Sequence, residues 1–471
     1  MTTSSYADDR PPYAAARTPA QGHTGTQRSI LRLIEYVYVI VVLAMCLNGL
    51  REVFSTSADS GIQALTDANP MFQLFSGTLY LVAALFILTD FRRFITLCRG
   101  NWPLLLLVGF IVLSAGWSSF PLVSMRRAAA LLLTTGFAAY LAMRFPPETV
   151  LRLVAWACCL TGIASIVLAV IDPTTAIHSL GDPNGGDWRG IFGHKNNMGR
   201  SMTYGVLTLG AAIFLARPPA KPAAMAGFFL CVVLLFLSGS RTGWVVTLFL
   251  LLGIPLFLLL QPSRFSPAVR MTMSGVGIAI ALVLVAVTYK YGLAAIGRDE
   301  TLSGRTHLWE VAIGSGMKHF ALGAGYRAFW NADAAADVYQ QVMWGASIGN
   351  GHNGYLDTWL ELGGVGFSLF LLVVAVTGFR IARRLIRSPD ITSLWLAITL
   401  SYMMIYALTE QVLMQQSEIT WVMLVATLFW FTPSRYVQPR PQGAIDEPET
   451  AASAAGTTPR RGLPVRYSAT R

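Results

Sequence analysis

The sequence predicts an all-α polytopic membrane protein with about 12 transmembrane helices and one long outer loop that carries a short amphipathic helix. The chain has 471 residues, of which 54% are hydrophobic and only 13% charged, whereas about 25% of the residues in a soluble domain are charged. Stretches of roughly 20 mostly apolar residues, long enough to cross a bilayer, recur from end to end. They are continuous and do not alternate with polar residues, which disfavours a membrane barrel.

Composition divides the chain into five segments. Residues 1–29 are rich in Ala, Pro, Thr and Ser and lack the apolar core of a signal peptide, so we expect a disordered cytoplasmic tail. Residues 30–290 carry nine predicted spans, 291–353 form the outer loop, 354–432 carry three more spans, and 433–471 form a second disordered cytoplasmic tail. The predicted spans lie near 30–50, 70–88, 101–119, 125–143, 149–171, 196–216, 222–238, 242–260, 269–290, 354–379, 391–409 and 413–432.

Lys and Arg residues in the short loops set the predicted orientation. With the N-terminus inside, every inner loop is basic, and an even number of spans returns the C-terminus to the same side. The net charge of +11 is therefore mostly a topology signal, and no basic domain is present that would bind nucleic acid. The inner-loop charges are Arg92, Arg93, Arg99, Arg144, Arg152, Arg217, Lys221, Arg264, Arg270, Arg380, Arg383, Arg384 and Arg387.

The positive charges predicted to lie outside are notable, because the orientation rule predicts few Lys and Arg residues in the outer loops. The outer loop contains Trp309, Trp330 and Trp344, which is not the composition of a disordered segment. Within it, Ser303 to His319 predicts a short helix. The outer charges are Arg126, Arg127, Arg189, Lys195, Arg200, Arg241, Arg298, Arg305, Lys318 and Arg327.

Two of these arginines are candidates for binding an anionic head group, because a guanidinium grips phosphate oxygens in a forked geometry. Arg241 lies in the Ser-Gly-Ser-Arg-Thr-Gly turn between two spans. An arginine that merely snorkels to the membrane surface is the alternative there. Arg305 lies at the start of the predicted loop helix, where the helix N-terminus favours anions; a solvated loop charge is the alternative.

His352 lies at the start of a predicted span, and its imidazole can act as a neutral base at neutral pH. A structural histidine at a span boundary is the alternative. His194, Lys195 and Arg200 enter another span at the same face and could clamp a phosphate or a sugar, or simply cap the helix. The chain has no H-E-x-x-H, no P-loop and no G-x-G-x-x-G motif after a strand. We therefore expect no metal and no other cofactor.

Four short motifs resemble a known group. The His-Asn-x9-Gly-x2-Gly pattern at 352–366 resembles the signature of the bacterial O-antigen ligase/polymerase superfamily. The runs at 192–200, 238–242 and 304–309 are similar to those of ExoQ-like (Wzy-type) exopolysaccharide polymerases. The ligase pattern usually continues with Thr or Gly, where this chain has Phe367. The resemblance covers roughly residues 100 to 430.

The resemblance implies inverting, metal-independent glycosyl transfer at the periplasmic face of the bacterial inner membrane. The donor would be a glycan on undecaprenyl diphosphate, and the acceptor a hydroxyl on another lipid-linked repeat unit. His352, Arg305 and Arg241 would be catalytic. A chain-length regulator and export machinery are further candidate partners besides the bilayer, and nucleic acid is not a partner. The expected substrate-binding residues are His194, Lys195, Arg200, Arg327, Trp309 and Asn353.

Three other functions remain open at this stage. A ligase would use the same chemistry to move the glycan to a lipid or protein acceptor. A transporter or flippase of an anionic lipid-linked substrate would also need many spans and outer basic residues, but its ionisable groups usually lie near the bilayer midplane. A structural membrane subunit would leave the outer arginines without a role. A polysaccharide polymerase is the leading hypothesis.

Overall fold

The computed structural model describes five stretches of the chain and a few single positions between them: residues 25–49, 70–181, 184–251, 305–331 and 349–432. Most of the predicted N-terminal tail, the whole C-terminal tail and the predicted span at 269–290 lie outside the described residues. The predicted outer loop is described only in part, and Trp344 and Arg298 fall outside.

Within the described stretches the secondary structure is helical, and the only bridge between extended segments there joins Ile177 and Trp188. Short 3-10 turns occupy Ser114–Gly116, Gly190–Phe192 and Met317–His319. The helices are α1 (Gly25–Cys46), α2 (Pro70–Leu88), α3 (Phe91–Gly100), α4 (Trp102–Leu113), α5 (Pro121–Arg144), α6 (Pro147–Ile171), α7 (Pro173–Ala176), α8 (Lys195–Leu215), α9 (Lys221–Leu237), α10 (Arg241–Leu251), α11 (Arg305–Gly316), α12 (Gly354–Arg387), α13 (Ile391–Tyr406) and α14 (Ile419–Trp430).

Several of these helices are suited to a bilayer. Among the described residues, α1, α2, α6 and α12 are each long and apolar enough to cross a membrane, and the bent pair α3–α4 would make a fifth candidate. The predicted class, an all-helical membrane protein, is confirmed at this level. The count of about 12 spans stays a prediction. The predicted loop helix is present as α11, whose buried Leu308, Ala312 and Gly316 form one face.

Two local predictions need correction. The inner loop predicted to hold Arg92 and Arg99 is helix α3, since Leu97 and Cys98 fall on a face that packs into the protein. The last predicted span begins at Ile419 and not at 413. Residues 407–418, predicted as a very short turn plus the start of a helix, form a longer non-helical segment that is partly buried among the helices.

Hydrogen bonds between distant helices define two ends of the bundle. Trp395 at the start of α13 donates to Thr208 near the end of α8 (3.2 Å), so these helices run antiparallel. Arg380 near the end of α12 donates to the carbonyl of Gly100 (3.1 Å). We call this end, with residues 97–101, 144–147, 216–221, 380–391 and 428–432, the Arg380 end. The opposite end, with residues 188–200, 238–241, 349–357 and 407–418, is the His352 end.

Helix α14 lies at the centre of the described bundle, and every one of its residues is buried. A helix that is apolar on all sides is either buried within a protein or in contact with lipid, and the burial of every residue of α14 shows that its neighbours are protein. Two indole N–H groups fix its position: Trp421 donates to Thr135 of α5 (3.0 Å), and Trp430 donates to the carbonyl of Phe145 (2.9 Å). The segment 407–418 leads into this helix and is partly buried beside it.

Helix α12 is broken at Gly363, where φ is +65°. The break frees backbone groups, and a bilayer offers them no partners. Segment 320–325 supplies those partners: its amides donate to the carbonyls of Leu360 and Glu361, and its carbonyls accept from the amides of Gly364 and Val365. A Cβ at position 363 would lie 2.2 Å from a carbonyl oxygen of this segment. A glycine is therefore needed at 363, because two backbones approach each other there.

Candidate active site

The candidate base His352 lies in a tight turn just before α12. Its φ of +49° is left-handed, a conformation that is uncommon for a residue other than glycine and is often held at functional sites. Its amide donates to the Asn350 side chain (2.9 Å), and the neighbouring Asn353 caps α12 by accepting from the amides of Tyr355 and Leu356. The turn is thus fixed from both sides.

Further hydrogen bonds from α11, Trp330 and α12 hold the backbone of this turn. The indole N–H of Trp309, on α11, donates to the carbonyl of Gly351 (2.7 Å). The amide of Gly351 donates to the buried carboxyl of Asp357 (2.8 Å), which also accepts from the Trp330 indole (2.8 Å). Trp309 and Asn353, both predicted to bind substrate, therefore hold the backbone around His352 in this structure.

Glu410 is the centre of the polar cluster at the His352 end. Its Oε2 lies 3.6 Å from Nδ1 of His352, and its Oε1 accepts a hydrogen bond from the side-chain Nδ2 of Asn196 at the start of α8 (3.1 Å). Arg305 reaches the same segment, where Nη1 donates to the carbonyl of Thr409 (3.1 Å). The Glu410 carboxylate thus connects α8 to the turn that carries His352, and the neighbouring Thr409 carbonyl connects α11 to the same segment.

The charge state of Glu410 follows from its neighbours. Its side chain is 19% exposed, and this burial, the largest single influence, would by itself raise the pKa of the carboxyl. The contact with His352 and the positive charges of Arg200 and Arg305 outweigh it together, so the pKa of Glu410 lies below its usual value. Glu410 therefore carries its negative charge at neutral pH.

Arg200 lies beneath this cluster and is buried. Its Nη2 is 3.2 Å from Oε2 of Glu418, which also accepts from the Asn48 side chain (2.8 Å). Tyr402 donates to the Arg200 carbonyl (2.8 Å). Removing one partner of a buried charge pair leaves an uncompensated charge, which is strongly destabilising. Arg200, predicted to bind substrate, is thus part of the buried support of the site.

His194 and Lys195 mark the open side of the cluster. His194 is exposed and caps α8 by accepting from the amide of Asn196 (3.1 Å). Lys195 pairs with Asp187 (2.6 Å). Arg241 is the exposed first residue of α10. Its turn packs on the same elements, since a Cβ at Gly239 would meet the Asp187 carboxylate at 2.3 Å.

Arg327 lies on the other side of segment 407–418. It has a left-handed φ of +59°, and its Nη1 is 3.8 Å from Oε1 of Glu361. The same carboxylate oxygen accepts from the side chain of Gln411 (3.2 Å). Arg127 of α5 adds a second buried guanidinium whose charge interacts with this pair. Arg327 therefore belongs to a neighbouring charged cluster, and its contacts are not with His352.

The structure thus brings four predicted residues together around Glu410, namely His352, Arg305, His194 and Arg200, with Lys195 and Arg241 beside them. Sequence reasoning missed the carboxylate itself. The available signal was the pair Glu410 and Glu418, which stand out as acids within an otherwise apolar stretch. The cluster has a basic group, a nearby carboxylate and guanidiniums at one surface, so it suits proton abstraction beside an anionic group.

The fold and this cluster define the class, a multi-pass membrane protein with a histidine- and arginine-lined polar site at one end of its helices. Residues 226–371 match the model of the O-antigen ligase family Wzy_C. This range runs from α9 into α12 and includes Arg241, Arg305 and His352. The two acids of the 407–418 segment lie beyond it.

A second comparison supports the same family. The chain is 26% identical over 216 residues to the exopolysaccharide production protein ExoQ of Rhizobium meliloti (strain 1021). The alignment covers 43% of this chain and 49% of ExoQ, so the chain spans about half the length of the curated relative that it matches. Both matches are to proteins of the group that the four motifs resemble, so they support an O-antigen ligase/ExoQ-like family.

Proposed function

We propose that this protein polymerises oligosaccharide repeat units carried on undecaprenyl diphosphate, by inverting and metal-independent glycosyl transfer. The observation that carries the proposal is the contact of His352 with Glu410 beside Arg305, inside a helical membrane protein similar to ExoQ. The product would be an exopolysaccharide or a polymer of the O-antigen type.

In the proposed reaction, His352 removes the proton from the acceptor hydroxyl. Glu410 is a positioning residue: its carboxylate faces Nδ1 of His352, which leaves Nε2 for the acceptor. The acceptor oxygen attacks the anomeric carbon of the donor as the bond from that carbon to the diphosphate oxygen breaks. Attack from the opposite face inverts the configuration, and the proton stays on His352 until it passes to solvent.

The leaving diphosphate takes the bonding electrons and needs positive charge more than it needs a proton. Arg305 and Arg241 are the proposed source of that charge. Arg241 is exposed at the start of α10, where it is open to a head group. Arg305 already contacts the backbone next to Glu410 through Thr409 (3.1 Å), so charge that develops on the phosphate would lie close to the base.

The proposed setting is the bacterial inner membrane, with about 12 spans, both termini in the cytoplasm and the His352 end in the periplasm. Exposed basic residues support this orientation, because they gather in the short connections of the Arg380 end, as the positive-inside rule requires of a cytoplasmic face. His194, Lys195 and the neighbouring Asp187 would meet the glycan at the other face.

A ligase that transfers the glycan to a lipid or protein acceptor is the second candidate. The observation that favours it is the family match itself, whose model is described as an O-antigen ligase. The two activities share the donor and differ in the acceptor. A transporter of the same lipid-linked substrate would need no base, so it gives the His352–Glu410 pair no role.

The test uses purified full-length protein in detergent, a synthetic lipid-diphosphate repeat unit as both donor and acceptor, excess chelator and no nucleotide. We expect a ladder of longer lipid-linked glycans. Transfer of a single unit to an added lipid or protein acceptor, with no ladder, would establish the ligase instead. Movement of the substrate across proteoliposomes with no new glycosidic bond would overturn both enzymatic proposals.

A further inference from the structure

Helix α3 differs from the apolar helices of the described bundle in its direction and in its polar character. It follows the candidate span α2 after two residues and meets α4 at an angle of 95°, with Asn101 as the single residue between them. With this angle, both helices cannot follow the membrane normal. Because α4 is apolar throughout and α3 carries exposed arginines, α4 is the part that enters the membrane and α3 runs close to the plane of its surface. Its ten residues then lie along one leaflet and do not cross it.

The side chains of α3 are sorted as such a position requires. Leu97 and Cys98 are buried against the protein, while Arg92 and Arg99 are exposed. The two arginines are seven residues apart, which is two helical turns, so they share one face. Phe91, which is 51% exposed, flanks that face. The apolar side of α3 is thus used for packing on the protein, which leaves its basic side and Phe91 to contact the head-group region of the membrane.

The position of α3 is fixed by a buried joint and does not depend on its exposed face. The Asn101 side chain donates to the carbonyl of Leu97 (2.8 Å) and to the hydroxyl of Thr432 (2.9 Å). Arg380 donates to the carbonyls of Gly100 (3.1 Å) and Leu428 (2.9 Å). The joint ties α3 to the ends of α12 and α14, so Arg92 and Arg99 are presented in a defined place.

The same end of the molecule carries further exposed positive charge. Arg383 and Arg387 lie at the exposed end of α12. The described acids at this end, Glu35, Asp90, Glu148 and Asp390, are fewer than its basic residues, and Glu35 pairs with Arg144 while Asp390 lies 3.4 Å from Arg384. The exposed face of α3 and the end of α12 therefore offer excess positive charge at one membrane surface.

We propose that α3 and the exposed end of α12 form a binding surface for anionic phospholipid head groups, with Arg92 and Arg99 as the main contacts. The charge complementarity selects a phosphodiester lipid that bears a net negative charge over a zwitterionic lipid of the same chain length. Phe91 enters the acyl region beside the bound head group. The inference is independent of the proposed function, because it concerns the opposite end of the helices from His352.

The test is native mass spectrometry of the detergent-purified full chain, titrated with phosphatidylglycerol or with phosphatidylcholine of matched acyl chains. We expect wild-type protein to bind phosphatidylglycerol more tightly, and high salt to reduce that preference. The apparent binding constant should fall about fivefold for each arginine changed in Arg92→Gln and Arg99→Gln, which corresponds to ~1 kcal/mol per basic residue near an anionic surface.

The matched control is Arg126→Gln, which removes an arginine of α5 distant from α3 in the sequence and predicted to lie at the other face. It should leave the preference for phosphatidylglycerol unchanged. Equal binding of the two lipids by wild-type protein, or an undiminished preference in the Arg92→Gln/Arg99→Gln protein, would overturn the proposal. If that variant does not fold, the salt dependence of lipid binding by the wild-type protein is the test. A preference for phosphatidylglycerol that weakens with salt supports binding by the arginines, and a preference that does not change with salt contradicts it.

Discussion

Replacing Glu410 by Gln tests the part of the site that the motifs did not predict. The substitution keeps the shape of the side chain and an oxygen for Asn196, but removes the charge that faces His352. Two unit charges 3.6 Å apart interact by about 1 kcal/mol in water and about 5 kcal/mol at an effective dielectric constant of ~20. The side chains of His352 and Glu410 are 35% and 19% exposed. The interaction energy therefore lies between these two limits, at about 2–3 kcal/mol.

This energy is relevant only when His352 has taken the proton, so it acts on the transition state and not on the bound substrate. We therefore expect kcat to fall about 30- to 160-fold, with KM for the lipid-linked unit nearly unchanged. The assay is the rate of ladder formation by the purified variant, with its melting temperature measured alongside. Glu410→Asp should restore part of the activity. A Glu410→Gln protein within threefold of the wild-type rate would refute a positioning role for the carboxylate.

Three further predictions concern the support of this site. Gly363→Ala should lower the melting temperature by many degrees, because its Cβ would meet the carbonyl of Ala321 at 2.2 Å and φ is +65°. The control Gly364→Ala should fold normally, because the nearest atom to its Cβ is at 3.7 Å. Equal melting temperatures of the two variants would count against this explanation of the helix break. Because the pKa of Glu410 is lower in the folded protein than its usual value of 4.5, its ionised carboxylate stabilises the fold above pH 4.5, and this stabilisation is lost as the pH falls through the lower, folded-state pKa. Melting temperatures measured at acidic pH should show this loss in the wild-type protein and not in Glu410→Gln. Trp309→Phe removes one hydrogen bond, so it should lower the free energy of unfolding by about 1 kcal/mol and the rate of ladder formation more than tenfold. A normal rate would show that the indole contact does not position His352.

The helices were predictable wherever apolar residues run continuously. Bounds such as Pro70–Leu88 and Pro147–Ile171 lie within a few residues of the predicted spans, because the length needed to cross a bilayer leaves little freedom. Helix α3 was missed for the opposite reason. Its mean character is polar, and its apolar residues are visible only as one face of a short helix.

The candidate site was predictable in its basic residues and not in its acids. His352 and Arg305 lie in polar runs that interrupt the apolar pattern. Glu410 and Glu418 lie between two apolar stretches, so their segment was interpreted as a short turn and the beginning of a span. Only the three-dimensional arrangement shows that these acids meet residues more than 200 positions earlier in the chain, such as Asn196 and Arg200. A pattern in a single sequence shows the local spacing of apolar residues, but it does not show which distant residues contact each other.

The central claim is that the cluster of His352, Glu410 and Arg305 is a centre of glycosyl transfer. The most direct measurement compares ladder formation from one lipid-diphosphate repeat unit by wild-type, His352→Ala and Arg305→Ala proteins, with chelator present and melting temperatures matched. We predict a ladder from wild type and none from either variant, at unchanged protein level and membrane insertion. A wild-type ladder from His352→Ala would contradict the account.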